Sequence, residues 1–260
     1  MSKKKSGGLL EGFKTIFYAA LIAIGIRTVA FEPFSIPSGS MIPTLLVGDY
    51  LFVSKYSYGY SRHSLPFSPN LFSGRIFGST PQRGDVAVFK LPRDGSTDYI
   101  KRIIGLPGDR ISVRGGVLHV NGQAVRRERI GPGTAEGDGP PRVVTLYRET
   151  LPGGREHLIA EESDEAHWDN APCELYDRNQ FRCLRVGEFV VPAGHVFAMG
   201  DNRDNSTDSR ADVGFIPIEN LVGRAEFIFF SVDGSGRIRW WEVWNWPFAI
   251  RWSRLLSGIR

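Results

Sequence analysis

The stretch DYIKRIIGLPGDRISVRGGVLHVNGQAV, Asp98 to Val125, does most to narrow what this 260-residue chain can fold into. Short apolar and β-branched runs are separated by Pro-Gly, Gly-Gly and Asn-Gly pairs, the residues that supply tight turns between strands. The stretch reads as a β meander. Other segments agree: DYLFVSKYSYGY (49–60) alternates apolar and polar positions, RGDVAVFKL (83–91) is a turn followed by a strand, and LVGRAEFIFFSV (221–232) is a further strong strand. Thirty glycines and sixteen prolines, spread throughout, exclude a helical bundle. GPGTAEGDGPP (131–141) must be loop, and residues 142–186 are polar and weakly patterned. The chain therefore divides into a mainly β core in two parts, 32–121 and 187–260, around an insertion at 122–186.

The N-terminus adds a different element. TIFYAALIAIGI, Thr15 to Ile26, runs twelve residues without a charge between Lys14 and Arg27. A membrane span needs roughly 17–25 residues. With both flanking cations snorkelling to the interface, residues 15–31 suffice for a transmembrane helix. The basic tail 1–14 would then stay in the cytoplasm and everything after Glu32 would lie outside. A buried core helix is one competing reading. A cleaved signal peptide is another, because Thr28-Val29-Ala30 is a small-X-small triplet.

Charge supports contact with a membrane rather than with nucleic acid. The net +4 is carried by the two ends: residues 1–14 hold four lysines and one glutamate, and 237–260 hold five arginines and one glutamate. The body between them is slightly acidic, where a nucleic-acid protein would carry a basic patch. The tail after Arg237 also holds five of the six tryptophans, and Trp with Arg favours the membrane–water interface. Packing of that tail against the β core is the alternative. Cys173 and Cys183, ten positions apart, form a disulfide in an oxidising compartment or remain two separate buried thiols.

The chemistry turns on PSGSM, Pro37 to Met41, where Ser38 and Ser40 flank a glycine. A Ser-His-Asp hydrolase needs a histidine base, yet His63, His119, His157, His167 and His195 sit in no such signature and read as surface or loop residues. There is no G-x-S-x-G elbow, no zinc spacing, and no phosphate-binding Gly loop. DNRDNSTDSR fails as a calcium loop, because Ser209 and Phe215 stand where an EF-hand needs Gly and Glu. No metal and no cofactor is therefore expected. A lysine can serve as base if burial makes it neutral. Free lysine is neutral only about once in 2500 at pH 7, and a shift to about 8 needs roughly 3 kcal/mol of desolvation. Lys101, framed by Tyr99, Ile100, Ile103 and Ile104, is the best candidate, against the plainer reading of an outward lysine on an amphipathic strand.

Four segments together resemble the signature boxes of bacterial signal peptidase I: IPSGSMIPTLLVGD (36–49), RGDVAVF (83–89), YIKRIIGLPGD (99–109) and GDNRDNSTDSR (200–210), in family order behind an apolar N-terminal segment. The resemblance implies a mainly β catalytic core of the type shared with self-cleaving SOS-repressor peptidases, with an inserted second β subdomain. It implies Ser40 as nucleophile, Lys101 as general base, and Ser38 with the Ser40 N–H as oxyanion hole. Ser206 would orient the lysine, while Arg102, Asp201, Arg203, Asp208 and Arg210 would brace the site. Phe34, Ile36, Pro37, Met41, Leu45, Tyr99 and Ile100 would line pockets for small side chains. The implied protein is a monomer in the bacterial cytoplasmic membrane, its partners the lipid bilayer and the signal peptides of exported pre-proteins. A self-cleaving repressor would instead need a DNA-binding motif, and an anchored binding protein would not need Ser38, Ser40, Lys101 and Ser206 together.

Overall fold

The computed structural model describes residues 8–66, 68–136, 140–162, 183–185, 187–233 and 246–260. Helix α1 (Gly8–Val29) is followed by β1 (Phe31–Ser35), β2 (Asp49–Ser54), β3 (Val86–Lys90), β4 (Asp98–Gly105), β5 (Arg110–Arg114), β6 (Val117–Val120) and β7 (Gln123–Ala124). Then come β8 (Arg126–Ala135), β9 (Arg142–Thr150), β10 (Glu156–Glu161), β11 (Cys183–Arg185), β12 (Glu188–Val190), β13 (His195–Met199), β14 (Ile216–Pro217), β15 (Leu221–Ser231), the short helix α2 (Trp246–Ala249) and β16 (Ser257–Gly258). The protein is mainly β, as the meander and its turns lead one to expect.

Three sheets organise these strands. The largest has the order β1-β2-β15-β3-β4-β13-β14, with β16 added on β15. A five-stranded sheet runs β11-β12-β5-β6-β7, and a three-stranded sheet runs β10-β9-β8. Every strand pair among the described residues is antiparallel, and short connections join β3-β4, β5-β6, β6-β7, β8-β9, β9-β10 and β11-β12. The turn glycines carry this: Gly108, Gly115, Gly116 and Gly122 all take positive φ, at the Pro-Gly, Gly-Gly and Asn-Gly pairs of the meander. The large sheet has an apolar cluster on each side. Ile36, Met41, Leu45, Leu51, Val53, Val86 and Val88 fill one, and Phe89, Ile103, Val196, Ile216 and Leu221 anchor the other.

Helix α1 is compatible with a membrane anchor. Its window Glu11–Val29 has a mean hydropathy of 1.4 and none of it is buried. Ile16, Phe17, Ile22, Ile24 and Ile26 are all exposed, on every side of the helix, so the reading as a buried core helix does not hold. The helix ends at Val29, earlier than residue 31, because Phe31 already pairs with Ser54 in β2 and Pro33 cannot continue a helix. Of the two cysteines, Cys173 lies outside the described residues, as does the side chain of Cys183. Trp240, Trp241 and Trp244 lie outside them too, while Trp252 in the C-terminal segment is largely exposed.

Candidate active site

Ser40 lies in a single 3₁₀ turn, Gly39–Met41, between β1 and β2. Ser38 before it is extended (φ −126°, ψ 154°) and Ile42 after it is extended again, so the chain bends within Gly39–Met41. Gly39 is buried and is not among the glycines with positive φ, so this turn does not draw on left-handed freedom. Lys101 comes from β4, paired through Ala87 with β3. The partner strand β13 pairs only with Arg102 to Gly105, which leaves the edge of β4 at Asp98–Lys101 unpaired on that side. Lys101 Nζ lies 2.6 Å from Ser40 Oγ, sixty-one residues apart in sequence, and Ser38 Oγ is 3.4 Å from Ser40 Oγ.

Lys101 is only 4% exposed, which rules out the outward-facing reading. Burial pushes its amine down to about 8; Asp208 and Asp201 pull it back up and Arg210 lowers it further. The Tyr99 ring sits 5.5 Å from Nζ. Desolvation wins because no carboxylate among the described residues makes an ion pair with this amine, whereas Arg102, Arg203 and Arg210 nearby each have one.

Those neighbours form a floor of buried ion pairs. Arg102 meets Asp201 through Nε at 2.8 Å and Nη2 at 2.7 Å, and donates to the carbonyls of Gly84 and Arg260. Asp201 also accepts from Thr44 Oγ1 at 2.5 Å. Arg210 is bidentate on Asp208, which takes the Gly200 N–H at 2.9 Å. Arg203 is bidentate on Glu149. Burial raises the carboxyls of Asp201, Asp208 and Glu149, but their arginines outweigh it and hold all three below the usual range.

The cavity beside Ser40 is about 900 Å³ and is walled by Phe34, Ile36, Pro37, Tyr99 and Ile100, with Ser38, Lys101 and Ser206 facing it. Met41 and Leu45 do not reach this wall. They are 1% and 0% exposed and pack in the core with Ile36, supporting the wall from within. Ser206 borders the cavity, and its buried Oγ has no hydrogen-bond partner among the described residues, so the bond to Lys101 implied by the resemblance is not made in this arrangement. Ser206 is held close by Gly200, where a Cβ would stand 2.2 Å from Ser206 Oγ and 2.5 Å from Ser40 O.

Two histidines depart from the expectation of surface or loop positions. His157, on β10, is buried with Nε2 3.3 Å from Glu149 Oε2 and 3.9 Å from Asp201 Oδ1. His63 is buried in the 3₁₀ turn Arg62–Ser64, where burial and then Arg62 push it down to about 4. Neither bonds Ser40 or Lys101, and His167 lies outside the described residues. Thr44, Glu149, Gly200 and Asn202 were given no role in the sequence, and His157 was read there only as a surface or loop residue. Asn202 and Gly200 stand inside a recognised segment but carry no charge to draw notice, and Glu149 and His157 lie in a stretch without pattern.

The family model described as signal peptidase, peptidase S26, matches residues 9–230. The chain belongs to the signal peptidase family. It is 42% identical over 262 residues to a signal peptidase I of Rickettsia typhi, covering 96% of this chain and 93% of that one. Against a signal peptidase I of Rickettsia prowazekii the identity is 40% with the same coverage. A solved signal peptidase I from Enterococcus faecalis aligns at 23% identity over 56% of this chain and 97% of that chain, with a TM-score of 0.31. Family membership makes the protein a serine peptidase, a hydrolase, and the reaction of the family is removal of signal peptides.

Proposed function

We propose that this protein is a membrane-anchored endopeptidase that cleaves signal peptides from exported pre-proteins after a small-X-small motif, using Ser40 and Lys101 as a dyad. The observation that carries this is the 2.6 Å approach of Lys101 Nζ to Ser40 Oγ, with the amine brought to about 8. In its neutral form Lys101 takes the Ser40 proton as Oγ attacks the scissile carbonyl carbon. The resulting oxyanion accepts hydrogen bonds from the Ser40 N–H and the Ser38 hydroxyl. Lys101 then protonates the leaving amine, the carbon–nitrogen bond breaks, and an acyl ester remains on Ser40. Water, deprotonated by the same lysine, hydrolyses the ester and frees the carboxylate of the signal peptide.

The substrate fits as an extended strand. β1 is the edge of the large sheet, and Asp98–Lys101 presents its own unpaired edge across the cavity. A peptide between them gains backbone hydrogen bonds while its side chains alternate into the pockets. Phe34, Ile36 and Ile100 give the cavity an apolar wall, and the resemblance assigns such a wall to small side chains at the cleaved bond. With the basic N-terminal tail on the cytoplasmic side of a bacterial inner membrane, α1 spans the bilayer and β1 follows it after one residue, so the cavity lies near the outer face. There the substrate's apolar segment is also embedded, and a monomer suffices.

The test is cleavage of a pre-protein by the detergent-solubilised protein. Ser40→Ala and Lys101→Ala are each expected to lose at least ~10³-fold in kcat. Cleavage by either variant at the wild-type rate would remove the dyad from the mechanism.

A further inference from the structure

The three-stranded sheet contributes no residue to the cavity wall, yet two of its buried side chains, Glu149 and His157, have no role assigned so far. Glu149 grips both Nη atoms of Arg203, and His157 is wedged between Glu149 and Asp201. The backbone repeats the connection. Ala160 N donates to Asp201 O at 2.9 Å, and Arg203 N donates to Ala160 O at 2.9 Å, so β10 makes a parallel bridge to Asn202. On its other side the same 201–203 segment holds the serine turn: Asn202 N donates to Ser40 O at 3.1 Å and Asn202 Nδ2 to Gly39 O at 3.1 Å. Ile42, two residues past Ser40, packs in one apolar cluster with Ala135, Val144 and Ala160 of that sheet.

We infer that Glu149 is a positioning residue for the peptidase reaction, holding Arg203 and β10 so that the 201–203 segment fixes the Gly39–Ser40 turn. The inference rests on Ser40 being the nucleophile. The turn needs such support because its own closure is one weak bond, Ile42 N to Gly39 O at 3.2 Å, and a lone 3₁₀ turn has poor hydrogen-bond geometry. Both the Ser40 hydroxyl and the Ser40 N–H belong to that turn, so a small shift displaces attacker and oxyanion donor together. Misplacement by about 1 Å costs on the order of 10²-fold in rate. Glu149 never approaches the substrate cavity, so its loss acts on the chemical step rather than on binding.

The experiment compares wild type, Glu149→Gln and the double variant Glu149→Leu with Arg203→Met, all full-length in detergent, on one pre-protein substrate. Glu149→Gln is expected to lower kcat by roughly 10- to 100-fold with KM within about twofold. Because that change leaves Arg203 buried without its carboxylate, the protein can lose stability as well. The double variant removes both charges and leaves no unpaired buried ion. Melting near the wild-type temperature with kcat still at least ~10-fold down, it would confirm positioning, since it lacks only the grip on the segment. Recovery of wild-type kcat in the double variant, unchanged kcat in Glu149→Gln, or a rise in KM alone overturns the inference. If wild type cleaves nothing, or Ser40→Ala cleaves as fast, the functional reading itself has failed and this inference falls with it.

Discussion

Lys101 and Arg102 are consecutive residues of one strand, both cations, and both almost fully buried at 4% and 0% exposure. Their surroundings differ in one respect. Arg102 faces the Asp201 carboxylate with two charge-assisted hydrogen bonds and uses the rest of its fork on backbone carbonyls. Lys101 faces the Ser40 hydroxyl, an aromatic ring and the cavity, with its nearest carboxylates engaged by arginines. Burial makes a paired cation a fixed structural ion and makes an unpaired one give up its proton more easily. The strand thus places a permanent charge on one face and a titratable amine on the other. The alternation of a β-strand keeps the two apart.

The largest expected contrast comes from replacing each cation by methionine. Arg102→Met strands Asp201 in the interior with only Thr44 and His157 beside it, and should destabilise the fold by about 3–5 kcal/mol. Lys101→Met should do the reverse. With its folded pKa lowered to about 8, lysine opposes folding below pH 8, by up to about 3 kcal/mol, and that cost disappears as pH rises past its ordinary value. The Lys101→Met protein should therefore melt at or above the wild-type temperature at pH 7 while having no measurable peptidase activity. Calorimetry on both variants checks this. If Lys101→Met melts as low as Arg102→Met, the two cations are equivalent and the comparison collapses.

The same pair shows why some of this was legible in the sequence. The meander from Asp98 to Val125 announced its turns through Pro-Gly, Gly-Gly and Asn-Gly, and the strands stand between them. With no histidine signature around Ser40, a lysine in an apolar strand is the remaining candidate base, and Lys101, marked by its isoleucine neighbours, lies 2.6 Å from Ser40 Oγ. What stayed hidden depends on contacts across the chain. Glu149 and His157 sit over 50 and over 40 residues from Arg203, in a stretch that read as polar and weakly patterned, because a residue buried against a charge looks the same in sequence as one facing water. Gly200 drew no attention because its need is steric: it lets Ser206 and the Ser40 carbonyl approach, and no local pattern marks that. The resemblance put Met41 and Leu45 in the pockets; apolar residues next to a serine turn fit a wall and a core equally well in sequence, and packing puts these two in the core.

A smaller effect sharpens the other side of the dyad. Ser38 Oγ is 3.4 Å from Ser40 Oγ, near enough to face the oxygen that becomes negative when Ser40 attacks. Ser38→Ala removes that donor while leaving the Ser40 N–H. It should lower kcat by roughly 10²–10³-fold with little change in KM, because the bond is made only once charge develops. Steady-state kinetics on one pre-protein separates the two constants. Loss confined to KM would place Ser38 in substrate binding rather than in the oxyanion hole.

The smallest effect is also the most direct measure of the contrast between neighbours, since it needs no mutation. The base works only when neutral, so the rate should climb with pH as Lys101 loses its proton. With burial setting the amine near 8, about a tenth of the molecules hold it neutral at pH 7 and about nine tenths at pH 9. The value of kcat/KM should therefore rise roughly tenfold over that interval and level off above it. Asp201 and Asp208 pull the lysine upward and Arg210 pulls it down, and both carboxyls, held below their usual range, stay ionised over this interval, so a single ascending limb is expected. A histidine base predicts a different curve. His63 and His157 are both pushed below their ordinary range by burial, so either one would bring the limb below that of a free imidazole, about 6.5. A limb there would return the reaction to a histidine, and a limb near 10 would mean that Lys101, like Arg102, has a carboxylate after all.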